Sequence, residues 1–230
     1  MKVVVAIDSL KGSLSSLKAG DAIKDGILKA MPEAKVDVRP LADGGEGTVE
    51  ALALGMGGKL VTVKVTGPLG ESVDCVYGIL EESKTAIIEM SGAAGGMGFA
   101  FLAYTNAVLE SGIKIILEET NLESYVKDAD IVITGEGRLD GQTAFGKAPI
   151  GVAKIAKKYG KTVLAFAGAV TEDAIICNKH GIDAFFPILR RIQSLQEAME
   201  PSVARNNMVT TVEQVFRLIN AKGAVAKVDE

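Results

Sequence analysis

Residues 3–13 read Val3-Val4-Val5-Ala6-Ile7 and then Asp8-Ser9-Leu10-Lys11-Gly12-Ser13. An unbroken apolar, mostly β-branched run ends abruptly in a carboxylate, two hydroxyls and an ammonium. Such a run has no polar face to turn to water, so it suits a strand covered on both sides, as in a parallel sheet. Ile131 to Thr134 and Thr162 to Ala167 repeat the pattern, and Lys35 to Arg39 adds a further strand. Between them lie helical periodicities over Ser16 to Met31, Glu46 to Met56, Thr143 to Tyr159 and Thr171 to Lys179. Alternation of this kind predicts an α/β fold, a mostly parallel doubly wound sheet with helices on both faces. Ligands in such sheets bind beyond the carboxyl ends of the strands. Asp8 to Ser13 falls there.

One region departs from the alternation. Leu60 to Val65, Ser72 to Leu80 and Thr85 to Met90 read as consecutive strands, joined through Gly67-Pro68-Leu69-Gly70 and Glu81-Glu82-Ser83-Lys84. They predict a small antiparallel meander around 60–90, appended to the sheet. No internal repeat or low-complexity segment is visible. Residues from Ala221 onward read as a frayed tail.

Composition removes several function classes. The 230 residues are 48% hydrophobic with a formal net charge of −4, and Lys and Arg are interspersed with Asp and Glu. No basic stripe exists to neutralise a phosphate backbone, and 5% aromatic residues without Trp leave little for base stacking, so nucleic acid is not expected as a partner. No stretch approaches the ~20 apolar residues of a membrane span, and the first apolar run is shorter than that of a signal peptide. Cys75 and Cys177 are too few and too far apart for a disulfide framework or a zinc site, which fits a reducing, cytoplasmic compartment. The single histidine, His180, precedes Gly181 at a predicted helix end, where it complements the helix dipole on the surface. Acid–base chemistry therefore falls to carboxylates or lysines.

Four loops hold the polar residues that remain. In the first, Asp8 can take a metal or a proton, Lys11 can hold a phosphate or carboxylate, and Ser9, Ser13 and Ser15 offer hydroxyls. A helix cap with a surface lysine explains the same residues equally well. The second, Asp43-Gly44-Gly45-Glu46-Gly47-Thr48, leads from a strand into a helix. Its glycines let backbone N–H groups approach an anion at the helix start. Asp43 and Glu46 would repel a bare phosphate, and Mg²⁺ or an Mg²⁺–nucleotide reconciles them. A simple turn capped by Asp43 is the competing reading, but three glycines exceed what a cap requires. The third loop, Thr134 to Thr143, opens Gly135-Glu136-Gly137 like a dinucleotide fingerprint, yet Asp140 stands where the last glycine belongs. Gly141 to Lys147 has P-loop spacing, but Ala148 replaces the hydroxyl that would reach Mg²⁺. Glu136, Asp140 and Lys147 around a flexible backbone suggest a site rather than a linker. The fourth, Ser91-Gly92-Ala93-Ala94-Gly95-Gly96-Met97-Gly98, opens a predicted helix through Leu109, and close backbone packing explains its glycines.

Taken in order, Ala6 to Ser13, Ala42 to Thr48, Gly92-Ala93-Ala94-Gly95-Gly96, and Asp130 to Gly137 with Asp140, Gln142 and Gly146-Lys147-Ala148-Pro149 resemble the motifs of the bacterial-type glycerate kinase family. The similarity spans nearly the whole chain. It implies cytoplasmic transfer of the ATP γ-phosphate to a hydroxyl of D-glycerate with Mg²⁺, 2-phosphoglycerate being the preferred product. Under that resemblance Asp8 and Lys11 are the catalytic pair and Asp43 and Glu46 the metal ligands. Ser9, Ser13, Gly44, Gly45, Gly47, Thr48, Gly135, Glu136, Gly137, Asp140 and Gln142 bind substrate and phosphate.

The sequence departs from the family in one respect. Members are longer and carry a second domain within the chain, including a Gly-Gly-Ser-Ala-Thr type motif. Here Ile87-Ile88-Glu89-Met90 runs straight into Ser91-Gly92. The expectation is a single domain over 1–230, with 1–90 and 91–230 forming one sheet, and turnover slowed by the missing wall. The alternative is a non-catalytic nucleotide- or carboxylate-binding module. Oligomeric state is left open, a homodimer being allowed.

Overall fold

Successive residues of the first strand are fully buried on opposite faces: Val3 and Val5 belong to one apolar cluster, Val4 and Ala6 to another. A strand with two buried faces needs a cover on each, and the chain supplies both. The computed structural model describes residues 1–41, 49, 53, 57–66, 71–81, 84–88, 117 and 121–226. Its strands are β1 (Lys2–Val5), β2 (Lys35–Val38), β3 (Lys59–Thr66), β4 (Ser72–Leu80), β5 (Thr85–Ile87), β6 (Ile131–Leu139), β7 (Thr162–Val170) and β8 (Ala184–Pro187). Among the described residues the complete helices are α1 (Ser16–Ala30), α2 (Leu122–Val126), α3 (Ala148–Lys158), α4 (Leu195–Met199) and α5 (Pro201–Ala226), with 3-10 turns at Gly141–Phe145 and Glu172–His180.

The main sheet has the order β2-β1-β6-β7-β8 and is parallel throughout. It is therefore built from strands on both sides of residues 89–120, with Val3 in register with Val36 and Ile131. On one face Ile23 and Ile27 of α1 and Met208, Val212 and Phe216 of α5 cover Val3, Val5, Ile133 and Phe166. On the other, Ile150, Val152, Ala153 and Ala156 of α3 and Leu122 and Val126 of α2 cover Val4, Val132 and Val163. Local signals agree with these helices. Ser15 caps α1 by accepting from the Lys18 N–H at 3.4 Å, and Lys157 and Lys158 sit in the last turn of α3, where they complement its dipole. A charged pair between Arg205 and Asp25 ties α5 to α1.

The doubly wound architecture agrees with the sequence reading, and five details differ. The meander forms a sheet of its own, β3-β4-β5, rather than an extension of the parallel one. β6 does not stop at Thr134 but continues through Gly135-Glu136-Gly137 to Leu139, because β7 runs alongside and pairs with it as far as Val170. The helix expected from Thr143 begins only at Ala148, since Gly146 adopts φ 106 and breaks the preceding 3-10 turn from α3. The segment expected as a helix over Thr171 to Lys179 is wound as a 3-10 turn. The tail expected to fray is helical through Ala226. α2, β8, α4 and most of α5 are not foreshadowed by the sequence patterns. Val49 and Ala53 are helical, within the helix expected over Glu46 to Met56. The loop 42–48, the turn 67–70, the join at 90–91 and the helix expected from Ser91 lie outside the described residues. No described helix is long and apolar enough to cross a membrane.

Candidate active site

The end of β1 is fixed by its neighbour. The Asp8 N–H donates to the Gly135 carbonyl of β6 at 3.0 Å, extending the ladder beyond the last paired residue of the strand. Gly135 is held there by lack of space. A Cβ on it would stand 1.8 Å from the Phe166 carbonyl oxygen of β7. Asp8 is 3% exposed, and one carboxylate oxygen, Oδ1, accepts the Ser9 N–H at 2.6 Å.

Beyond Ser9 the chain closes a tight loop. The Leu10 N–H donates to the Leu14 carbonyl at 2.8 Å and the Leu14 N–H returns to Leu10 at 3.0 Å. Gly12 turns the corner at φ 75, in the left-handed region. Leu10 and Leu14 are buried and anchor the loop, while Lys11 is carried outward at its tip. The Ser13 hydroxyl oxygen is buried and meets no hydrogen-bonding partner among the described residues.

The end of β6 places acids opposite. Glu136 is 8% exposed and accepts from the Thr143 hydroxyl at 2.5 Å. Thr143 is fixed in turn by a capping box: the Asp140 N–H donates to its oxygen, and its own N–H donates to the Asp140 carboxylate, each at 3.2 Å. The Lys147 ammonium lies 3.4 Å from Asp140 Oδ1 and 3.8 Å from Glu136 Oε2. Burial alone would raise the Asp140 carboxyl, but Lys147 and the N–H groups of Thr143 and Gln142 outweigh it and hold the group below the ordinary carboxylate range. Behind this cluster Cys177 is buried. Desolvation, reinforced by Glu136, Asp140 and Asp173, pushes its thiol up, which makes it inert rather than nucleophilic.

These two groups face a cavity of about 640 Å³ at the carboxyl ends of the parallel strands, where this architecture binds ligands. Asp8, Ser9, Lys11 and Ser13 line it from the first loop, and Glu136, Gly137, Asp140 and Lys147 from the third. Two residues expected at the site do not reach it. Gln142 points its exposed side chain elsewhere and contributes only its N–H to Asp140. Gly135 sits one residue below the rim, and its carbonyl is occupied by Asp8. Asp43, Gly44, Gly45, Glu46, Gly47 and Thr48 lie outside the described residues. Arg138, Thr171 and Asn207 also line the cavity and were not singled out from sequence. Asn207 carried a legible signal, an amide on the stripe that α5 buries with Ala204, Met208 and Val212.

The site can be set beside known proteins. The model of the glycerate kinase family matches residues 3–92 and 91–220, two segments meeting where the meander ends. A glycerate kinase of Haemophilus influenzae is 27% identical over 378 aligned positions, covering 96% of this chain and 100% of the relative. The glycerate 2-kinase of Escherichia coli is 28% identical over 354 positions, covering 86% and 93%. Both alignments are much longer than this chain, so well over a hundred positions of each have no residue here. A crystal structure from Salmonella typhimurium, described as glycerate kinase 2, superposes with TM-score 0.79 at 26% identity over 97% of this chain and 99% of that one. The chain belongs to the glycerate kinase family.

Proposed function

We propose that this chain is an ATP-dependent D-glycerate kinase that forms 2-phosphoglycerate. The observation that carries the reading is the cavity itself, a buried carboxylate and a lysine from one loop facing a second carboxylate–lysine cluster across a space large enough for a small acid and a phosphate chain. In-line phosphoryl transfer asks mainly for positioning and charge neutralisation. Asp8 orients or deprotonates the attacking hydroxyl. Lys11 steadies a phosphate or the glycerate carboxylate. Ser9, Ser13 and Gly137 offer hydroxyl and backbone contacts on the same wall, and Glu136 and Asp140 form the opposite one.

Mg²⁺ is part of this proposal. The described residues contain no group of three or more potential ligands, but Mg²⁺ needs only one or two carboxylates beside substrate phosphates. Asp43 and Glu46 are the residues proposed to hold it. When bound it would neutralise charge on the phosphates. We further read 1–230 as one domain on a shared sheet, a cytoplasmic protein, and a homodimer as its allowed assembly.

The second reading, a binding module without turnover, is favoured by the aligned positions that have no residue here. Calorimetric titration with ATP–Mg²⁺ and with D-glycerate, followed by phosphorus NMR of the mixture, separates the two. Binding of both with a 2-phosphoglycerate resonance supports the kinase; binding without product supports the module. Loss of metal dependence in Asp43→Asn would support the metal assignment, because Asn caps a helix about as well as Asp.

A further inference from the structure

The loop after the last parallel strand carries a feature that the catalytic reading does not use. Immediately past β8 come Ile188, Leu189 and then Arg190-Arg191-Ile192-Gln193. Arg190, Arg191 and Gln193 line a second cavity of about 570 Å³, closed on the far side by Ser202, Asn206 and Asn207 of α5. Every polar side chain on that wall can donate a hydrogen bond, and no carboxylate is among them. Neither guanidinium meets an acidic group within ion-pair distance among the described residues. Arg191 instead directs its Nε–H to the Gln193 carbonyl oxygen at 3.4 Å. That contact leaves the Gln193 amide nitrogen Nε2 buried and without an acceptor.

Asn207 supplies the second observation. It is 8% exposed, its amide finds no hydrogen-bonding partner among the described residues, and it lines both cavities. A polar side chain more than nine-tenths buried is ordinarily paired. Its place at the wall between the two cavities opens the amide to a ligand in either. The second cavity therefore opens beside the first and is lined by donors, of which Gln193 Nε2 is buried without an acceptor.

We propose that Arg190, Arg191, Gln193 and Asn207 form an oxyanion subsite adjoining the catalytic cavity, which takes a phosphate group. Guanidinium planes match phosphate oxygens in a bidentate fork; Glu197 acts on Arg191 only from beyond ion-pair distance, so both guanidinium forks keep their donors for an anion. The phosphate can belong to the nucleotide or to a free phosphorylated ion, and the test distinguishes them.

The probe is inorganic phosphate, titrated calorimetrically into the whole chain with and without saturating ADP. Arg190 and Arg191 are exposed, so the Arg190→Ala/Arg191→Ala variant keeps its fold. Asn207→Asp is nearly isosteric and places a negative charge at the shared wall. Millimolar or tighter binding that weakens ~10-fold or more in both variants is expected. If ADP abolishes phosphate binding, the subsite holds the nucleotide's own phosphate; if phosphate still binds, it holds a free one. Phosphate affinity equal to the parent's in the double arginine variant, or no binding to the parent at millimolar concentration, overturns the assignment. None of these readings needs glycerate turnover, so the subsite and the kinase proposal fail separately.

Discussion

The Thr143 hydroxyl donates to the Glu136 carboxylate at 2.5 Å while the Asp140 N–H donates to Thr143, so one buried hydroxyl couples the two acids that line the third loop. Thr143 is fully buried and has no rotamer freedom to spare. Thr143→Val keeps its shape and removes the coupling. A hydrogen bond to a charged group is worth ~1.5–3 kcal/mol, and kcat is expected to fall about ten-fold with a smaller change in KM. Thr143→Ser should restore most of it. Unchanged kinetics in Thr143→Val would show that Glu136 needs no such positioning.

Gly135 makes the sharpest stability prediction. Its missing side chain is what lets β6 and β7 approach, and a methyl there meets the Phe166 carbonyl oxygen at 1.8 Å. Gly135→Ala must push the strands apart where Asp8 also hydrogen-bonds. Overpacking of this kind costs ~1–3 kcal/mol or more, a drop of several degrees in Tm at this size. A melting temperature equal to the parent's would mean that the strands separate freely.

Much of this was legible in the sequence, and the reasons for the remainder are physical. The β-branched runs marked the strands because both faces of a parallel sheet exclude polar residues. Asp8, Lys11 and Glu136 followed from the rule that such strands carry chemistry at their carboxyl ends. The extension of β6 through Gly135-Glu136-Gly137 was not legible, since glycine and glutamate disfavour strands locally and only pairing with β7 overrides them. Gln142 looked like a ligand beside Asp140, but the 3-10 turn rotates its side chain to solvent. α5 was hidden for the opposite reason: its Asn206-Asn207 pair and scattered charges blur the apolar stripe that packs on α1.

Acid should separate Asp140 from an ordinary surface carboxylate. Its folded pKa lies below the ordinary value, because Lys147 and two N–H donors outweigh the opposing burial. The pair therefore stabilises the fold at pH above ~3.9, and that contribution is lost as pH falls through the lower folded value. Urea denaturation across this acid range should show a shallower loss in Asp140→Asn than in the parent. Parallel curves would mean that the lysine contributes nothing net.

Lys11 and Lys147 both line the cavity. Lys11 follows the first strand directly, beside Asp8, whereas Lys147 belongs to a P-loop-like stretch whose metal-ligand position is Ala148. Lys11→Ala is expected to weaken ATP binding by about ten- to a hundred-fold, and Lys147→Ala by less. A larger loss in folded Lys147→Ala would move the main anion site to the third loop.

Glycerate-dependent ADP release by purified, folded protein is the most direct measurement of the central claim. Phosphoryl transfer relies on closing water out around donor and acceptor together, and a ~1 Å misplacement already costs about a hundred-fold. Release is expected to require D-glycerate, to vanish in Asp8→Asn, and to proceed below the ordinary range of ~1–1,000 per second. Release that is indifferent to glycerate, or equal in Asp8→Asn, would contradict the assignment of the site, and a kcat within the ordinary range would contradict the slowed turnover.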